Sequence, residues 1–365
     1  MPCVYCVDMD FKKSHKSYFT KQLIDWHHTD NDRELPWKSE KDPYKIWLSE
    51  IILQQTRAQQ GLPYYLNFTK TYPTIKKLAA AKDEDVFRLW QGLGYYNRCR
   101  NMLATARYVS NELKGKFPTT YEDILALKGV GAYTAAAIAS FAYGLPHAVV
   151  DGNVYRVLAR YFDIEISSDS TEGKKLFQSL AAELLFTSDS SAYNQAIMDL
   201  GATVCTPKKA LCTECPLHKN CIAFKQDMVE LLPVRTKKLK IRIRYFNYII
   251  FKKGNKIWIH QRNDKDIWQS LHEPFLIETS KAITASQLLK NDIYKNINLT
   301  GKPDLIDEQT QKLSHQTIKS SFFLVDTSNS SLALPEKGRW VTHQEIEKIA
   351  FPKTILSFLE KKLYF

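Results

Sequence analysis

The sequence predicts a multidomain protein, all-α in its first part and α+β in its second. Three observations carry that prediction. From about Ser17 to Gln226 apolar residues recur at spacings of three and four, the period of helices that bury one face. Past Leu232-Pro233 the period shifts to runs of β-branched and aromatic residues bounded by turn residues. Near that change, four of the seven cysteines fall between Cys205 and Cys221. At 365 residues, with 44% hydrophobic and 12% aromatic content, the chain can build two packed cores.

In the helical part the breaks come at Asp42-Pro43, Tyr72-Pro73, Gly115-Lys116-Phe117-Pro118 and Gly144-Leu145-Pro146. The helix after Asp42 has an aspartate N-cap and proline at its first position. Thr120 to Leu127 reads as a short helix capped by Thr120, and Thr134 to Tyr143 as a second, with Gly129-Val130-Gly131 as the turn between them. Asp151 follows an apolar stretch at the head of a further helix, where an N-cap is the plain reading. In the second part, the basic run Arg235 to Arg244 reads as a solvated linker. Tyr245 to Phe251 and Ile257 to His260 flank Lys252-Lys253-Gly254-Asn255-Lys256, a hairpin signal. Ser320 to Asp326 reads as another strand, and His343 to Ala350 and Lys353 to Lys362 as helices. The expected division is residues 9–228, a linker over 229–243, and 244–365.

The formal net charge of +12 and a pI near 9.1 favour a polyanionic partner. No run of about 18 uncharged apolar residues occurs, and the N-terminus lacks the pattern of a secretory signal or transit peptide. A cytoplasmic, bacterial protein with no membrane partner is the expectation, and its clustered thiols point to metal rather than to a disulfide framework. Cys3 and Cys6 form an isolated C-x2-C, read as a tail or an over-long start, with Met9 a plausible first residue.

Cys205, Cys212, Cys215 and Cys221 have the spacing C-x6-C-x2-C-x5-C. Four thiolates in one short loop suit zinc or an iron-sulfur cluster, so the ligand set alone does not name the metal. Lys208, Lys209, Lys219 and Lys225 surround them against a single Glu214, a positive face suited to phosphate. In the glycine turn, Gly129 and Gly131 permit positive φ and close approach, so the free N–H groups of the following helix can receive a phosphate oxygen. A dinucleotide-binding turn would need a preceding strand and a third glycine, where this chain has a helix and Thr134.

Glu50 lies four residues after Ile46 and three before Leu53, on a helix apolar nearly all round. A carboxylate so placed is desolvated, which raises its pKa and lets it hold a proton near neutral pH, as a general acid must.

Taken together, the cysteine loop and the Gly-Val-Gly turn resemble the [4Fe-4S] loop and helix-hairpin-helix of the endonuclease III superfamily of DNA glycosylases. Lyases of that superfamily carry a lysine where this chain has Tyr133, and a phenol cannot form the imine that cuts the strand. The resemblance is therefore to the monofunctional adenine DNA glycosylase (MutY) family. Its further motifs are Leu35-Pro36-Trp37, Trp47 to Thr56, Gly92-Leu93-Gly94-Tyr95-Tyr96, Val150-Asp151-Gly152-Asn153-Val154 and Asn194 to Ala202. It runs in detail from about Phe19 to Phe224, and more loosely to the C-terminus.

The resemblance implies excision of adenine mispaired with 8-oxoguanine or guanine in double-stranded DNA, in base excision repair, by a monomer holding a [4Fe-4S] cluster on Cys205, Cys212, Cys215 and Cys221. Glu50 would be the general acid and Asp151 the stabiliser of the sugar cation, with Tyr133 and Asn153 ordering the site. Arg33, Leu35, Trp37 and Gln195 would line the adenine pocket. Gln54, Gln55, Tyr95, Gly129 and Gly131 would contact DNA, Gln55 near the flipped base and Tyr95 beside the lesion. Several relatives have a lysine at Tyr155 that crosslinks to product, a side reaction not expected here. The second domain resembles a Nudix fold without its Glu-rich magnesium box. A loop of the Phe-Ser-His type is matched by Leu313-Ser314-His315, so Ser314 and His315 are the expected lesion contacts.

Overall fold

The computed structural model describes residues 11–236, 241–263, 265–295, 297, 302–327, 334 and 337–362. Cys3, Cys6, Met9 and the middle of the basic run, residues 237–240, lie outside the described residues.

Twelve helices come first in the described chain: α1 Lys13–Thr29, α2 Pro43–Leu53, α3 Ala58–Thr71, α4 Ile75–Ala79, α5 Asp83–Trp90, α6 Tyr96–Asn111, α7 Tyr121–Leu125, α8 Ala132–Tyr143, α9 Gly152–Phe162, α10 Thr171–Leu184, α11 Ser190–Thr203 and α12 Ile222–Lys225. Seven strands and four helices follow: β1 Arg242–Lys253, β2 Lys256–Gln261, β3 His272–Glu273, β4 Phe275–Thr279, α13 Ala285–Leu288, α14 Asp292–Lys295, β5 Asp304–Lys312, β6 Gln316–Asp326, β7 Gly338–Thr342, α15 His343–Ile346 and α16 Lys353–Lys362. No helix among the described residues is long and apolar enough to cross a membrane.

The chain divides into two compact units, Met1–Gln55 with Tyr108–Lys237, and Thr56–Arg107 with Lys238–Phe365. In the first, α1, α9, α10 and α11 enclose a core that includes Phe19, Leu23, Val157, Leu158, Phe162, Phe177, Tyr193 and Leu200. The expected caps form: Asp42 accepts from Tyr44 N, Thr120 from Asp123 N, and Asp151 from Asn153 N and Val154 N.

In the second unit the sheet runs β3-β2-β1-β6-β5, with β4 paired to β1 and β7 to β2. β1 and β6 are parallel, Arg242 opposite Gln316 through Lys252 opposite Asp326. The expected hairpin closes with Lys253 opposite Lys256, and Gly254 takes a positive φ of 60°. One face carries the core of Ile249, Phe251, Trp258, Phe275, Ile277, Phe323 and Val325. On the other, Phe358 of α16 stacks on Phe322 at 4.1 Å.

Three expectations are corrected. The helix over His343 to Ala350 stops at Ile346. The second hairpin helix begins at Ala132 rather than Thr134. Arg244 is not solvated linker: it is buried in β1, paired to Asp266 at 2.7 Å and Glu278 at 2.6 Å, because the strand starts at Arg242 and turns that side chain inward.

Candidate active site

Three elements of the first unit bring Glu50, Tyr133 and Asp151 together. Glu50 stands on α2, buried at 5% exposure among Trp47, Leu48, Ile51 and Ile52. Tyr133 stands in the first turn of α8, which packs on α2, and hydrogen-bonds the Glu50 carboxyl. Asp151 caps α9. Burial pushes Glu50 up to about 7; the Tyr133 bond pulls against that, and the Asp151 charge adds to it. Asp151 is also raised by burial, although the backbone N–H groups of Val154 and Asn153, the Asn153 amide and Arg156 all favour its ionised form. Burial and the two carboxylates hold the Tyr133 phenol protonated.

Asp151 is held on both oxygens. Its Oδ1 accepts from Asn153 N and Val154 N, each at 2.8 Å, and Oδ2 accepts from Asn153 Nδ2 at 2.8 Å. Asn153 is itself fixed by Arg156, whose Nη2 donates to its Oδ1 at 2.8 Å. The segment entering Asp151 is pinned by buried Asn194 of α11, which accepts from Val149 N at 3.0 Å and donates to His147 O at 2.9 Å. A protonated acid beside a fixed carboxylate and a neutral phenol can protonate a leaving group while a cation is stabilised.

Of the expected base-pocket residues, Arg33 pairs with a carboxylate that the sequence reading does not single out. Asp199 of α11, nearly buried, pairs with Arg33 at 2.6 Å and Lys38 at 2.7 Å and accepts from Asn31 Nδ2 at 2.9 Å. Gln195, one turn earlier on α11, donates to Lys38 O at 3.1 Å, so the segment carrying Leu35 and Trp37 is held at both ends. An acidic residue in the apolar run Ala196-Ile197-Met198-Asp199-Leu200 was the available signal.

Of the expected DNA contacts, Gly129 takes a φ of 80°, but Gly131 does not; it is the extended N-cap of α8 at φ −102°, with no atom within 4 Å of where a Cβ would stand. Gln54 donates to Thr134 Oγ1 at 3.2 Å. Gln55 at φ 55° and Tyr95 at φ 48° hold left-handed backbone without being glycine. Tyr95 is 41% exposed, whereas Tyr96 is core. In the second unit, Ser314 and His315 are exposed in the turn joining β5 to β6. Tyr155 packs edge-on against Phe177 at 5.1 Å.

Cys205, Cys212, Cys215 and Cys221 line one recess of about 310 Å³, mouth included, with Val204, Leu211, Phe224 and Val229 as apolar walls. Arg160 Nη1 donates to Cys205 Sγ at 3.4 Å. Among the described residues no group of three or more His, Cys, Asp or Glu is drawn together as metal ligands. Four thiols with apolar walls around them are the donor chemistry that an iron-sulfur cluster or a zinc ion takes. Lys208, Lys209, Lys219 and Lys225 are exposed around it.

An adenine DNA glycosylase of Buchnera aphidicola subsp. Schizaphis graminum is 35% identical over 347 residues, 94% of this chain and 98% of that protein. The chain belongs to the adenine DNA glycosylase family. The Homo sapiens adenine DNA glycosylase is 42% identical over 214 residues, 56% of this chain and 39% of that one. Residues 48–183 match the HhH-GPD superfamily base excision DNA repair protein family, and residues 247–361 the NUDIX domain. Among solved structures, a thermostable thymine-DNA glycosylase superposes with a TM-score of 0.54 at 29% identity, over 58% of this chain and 98% of that one. An endonuclease III in a DNA complex superposes at 0.52 with 20% identity, a likeness of fold. This member of the family is thus a DNA glycosylase with a helical catalytic region followed by a Nudix-like region.

Proposed function

We propose that the enzyme removes adenine mispaired with 8-oxoguanine or guanine in duplex DNA, acting as a monomer and leaving an abasic site with the strand intact. The observation that carries the reading is the meeting of Glu50, poised to be protonated near neutral pH, with Asp151 and a phenol where a lyase needs an amine.

In this reading the flipped adenine occupies the pocket of Arg33, Leu35, Trp37 and Gln195. Glu50 gives its proton to adenine N7. The C1′–N9 bond breaks with its electron pair leaving on the base, and Asp151 stabilises the oxocarbenium ion at C1′. Tyr133 holds Glu50, and Asn153 holds Asp151. Water adds at C1′ and loses its proton to a carboxylate. Gln54, Gln55, Gly129, Gly131 and Tyr95 contact the duplex, and Ser314 and His315 read the lesion opposite adenine. Cys205, Cys212, Cys215 and Cys221 would hold a [4Fe-4S] cluster, which when bound would tie the loop together and so present its lysines to phosphate.

The test is a duplex carrying 8-oxoguanine opposite adenine, assayed for strand breaks with and without alkali. Breaks only after alkali are expected. Breaks without alkali would make the protein a lyase, and none under either condition would make it a binder.

A further inference from the structure

Gly201 lies on α11 where that helix crosses the start of α9. A Cβ added there would stand 2.6 Å from Asn153 Cβ, 3.0 Å from Asn153 O and 3.1 Å from its carbonyl carbon. Carbon atoms in favourable contact stand about 3.5–4.0 Å apart, so even a methyl group cannot enter without moving Asn153. Backbone conformation is not the reason for glycine, since Gly201 does not take a positive φ and lies within regular helix. A helical glycine costs about 1 kcal/mol relative to alanine, and here the close approach of two backbones accounts for it.

That approach bears directly on the carboxylate. One guanidinium nitrogen, Arg156 Nη2, donates both to Gly201 O and to Asn153 Oδ1. Asn153 passes the constraint on through its Nδ2 bond to Asp151 Oδ2 at 2.8 Å. The height of α11 over α9 at Gly201 therefore sets where the Asn153 amide stands.

We propose that Gly201 is a positioning residue for the reaction: by carrying no side chain it seats Asn153 so that its amide orients the Asp151 carboxylate toward C1′. This rests on the reading of Asp151 as stabiliser of the sugar cation. A purely structural role would lower stability and leave the chemistry of the folded fraction unchanged.

The test is Gly201→Ala in the full-length holoenzyme. Single-turnover adenine release is measured at saturating enzyme against pH, alongside affinity for a duplex whose adenosine is a 2′-fluoro analogue that resists hydrolysis. The expected result is release slowed at least about 10-fold with affinity changed less than about threefold, the pattern of an interaction used in the transition state. The acidic limb of the pH profile should also move upward, because losing the Asn153 amide disfavours ionised Asp151. The charged and titratable groups facing Asp151 are Glu50 from α2, Tyr133 from α8 and Arg156 on α9. The limb set by Glu50 should stay in place. In an Asn153→Gly background, which removes the closest contact, adding Gly201→Ala should change the rate less than about twofold.

Undiminished release by Gly201→Ala, an unmoved acidic limb, or losses that multiply in the double variant would each overturn the proposal. If Gly201→Ala alone does not fold, the comparison of Asn153→Gly with the double variant decides. A native chain that releases no adenine would sink the functional reading as well; an active native chain with an unaffected Gly201→Ala sinks this proposal alone.

Discussion

The hydroxyl of Tyr95 donates to Ser314 Oγ at 2.9 Å, across 219 positions of sequence. Tyr95 is held in left-handed backbone with its ring near the Arg98 guanidinium, 5.4 Å from centroid to carbon. Ser314 Oγ also lies 3.2 Å from His315 Nδ1. The expected wedge and the expected lesion contacts thus form one hydrogen-bonded group. Tyr95→Phe keeps the ring and removes the donor. An exposed bond of this kind contributes about 0.5–1 kcal/mol, so under the proposed function a preference in kcat/KM for 8-oxoguanine over guanine opposite adenine should fall about two- to fivefold. Ser314→Ala should add little to that loss, and fully multiplicative losses would show that the two act separately.

Glu50 makes opposite demands on activity and stability. Release should decline as pH rises through about 7, where the acid loses its proton, and Glu50→Gln should abolish it with little loss of duplex binding. For stability, the folded pKa lies above the unfolded value of 4.5, so the folded state binds the extra proton between the two and stability falls as pH rises through that window. Glu50→Gln should therefore raise stability at pH 8 by up to about 3 kcal/mol and little at pH 4, the shift being worth about 1.4 kcal/mol per unit. Denaturant midpoints at the two pH values check the sign.

Asp199→Asn leaves Arg33 and Lys38 beside each other with no carboxylate between them. Breaking a partly buried arrangement of this kind should cost about 2–3 kcal/mol, less than for full burial because both cations reach solvent. Adenine release should fall with it, through loss of order in the segment bearing Leu35 and Trp37. Denaturation and single-turnover kinetics read the two effects, and wild-type values in both would remove Asp199 from the site.

Around the cysteine recess, Lys209 is exposed and takes a φ of 53°. Replacing Lys208 and Lys209 by alanine should reduce the slope of log K against log salt by about 0.9 for each phosphate that the two lysines neutralise. An unchanged slope would mean that these lysines are only a solvated face.

How much was legible in the sequence follows from the range of each signal. The caps at Asp42, Thr120 and Asp151, the turn at Gly254 and the bounds of α16 were all readable, because each is decided within a few residues by a donor, a φ angle or a helical period. β5 was not: its burial alternates among exposed and half-buried positions, without an apolar stripe, and it exists because β6 pairs along it from Asp304 to Lys312. The burial of Arg244 is not legible for a related reason, since a run of basic residues says nothing about which one faces Asp266 and Glu278.

By itself the sequence determined the change from helices to a mixed second part, the caps and turns set within a few residues, the burial of Glu50 on an apolar helix, the four thiols of one loop and the phenol at Tyr133. Only the tertiary structure decided that Tyr133 bonds Glu50, that Asp199 gathers Arg33 and Lys38, that Gly201 presses on Asn153 and that Tyr95 reaches Ser314. Each of these depends on distances between elements remote in the chain, which packing sets and local propensity does not encode.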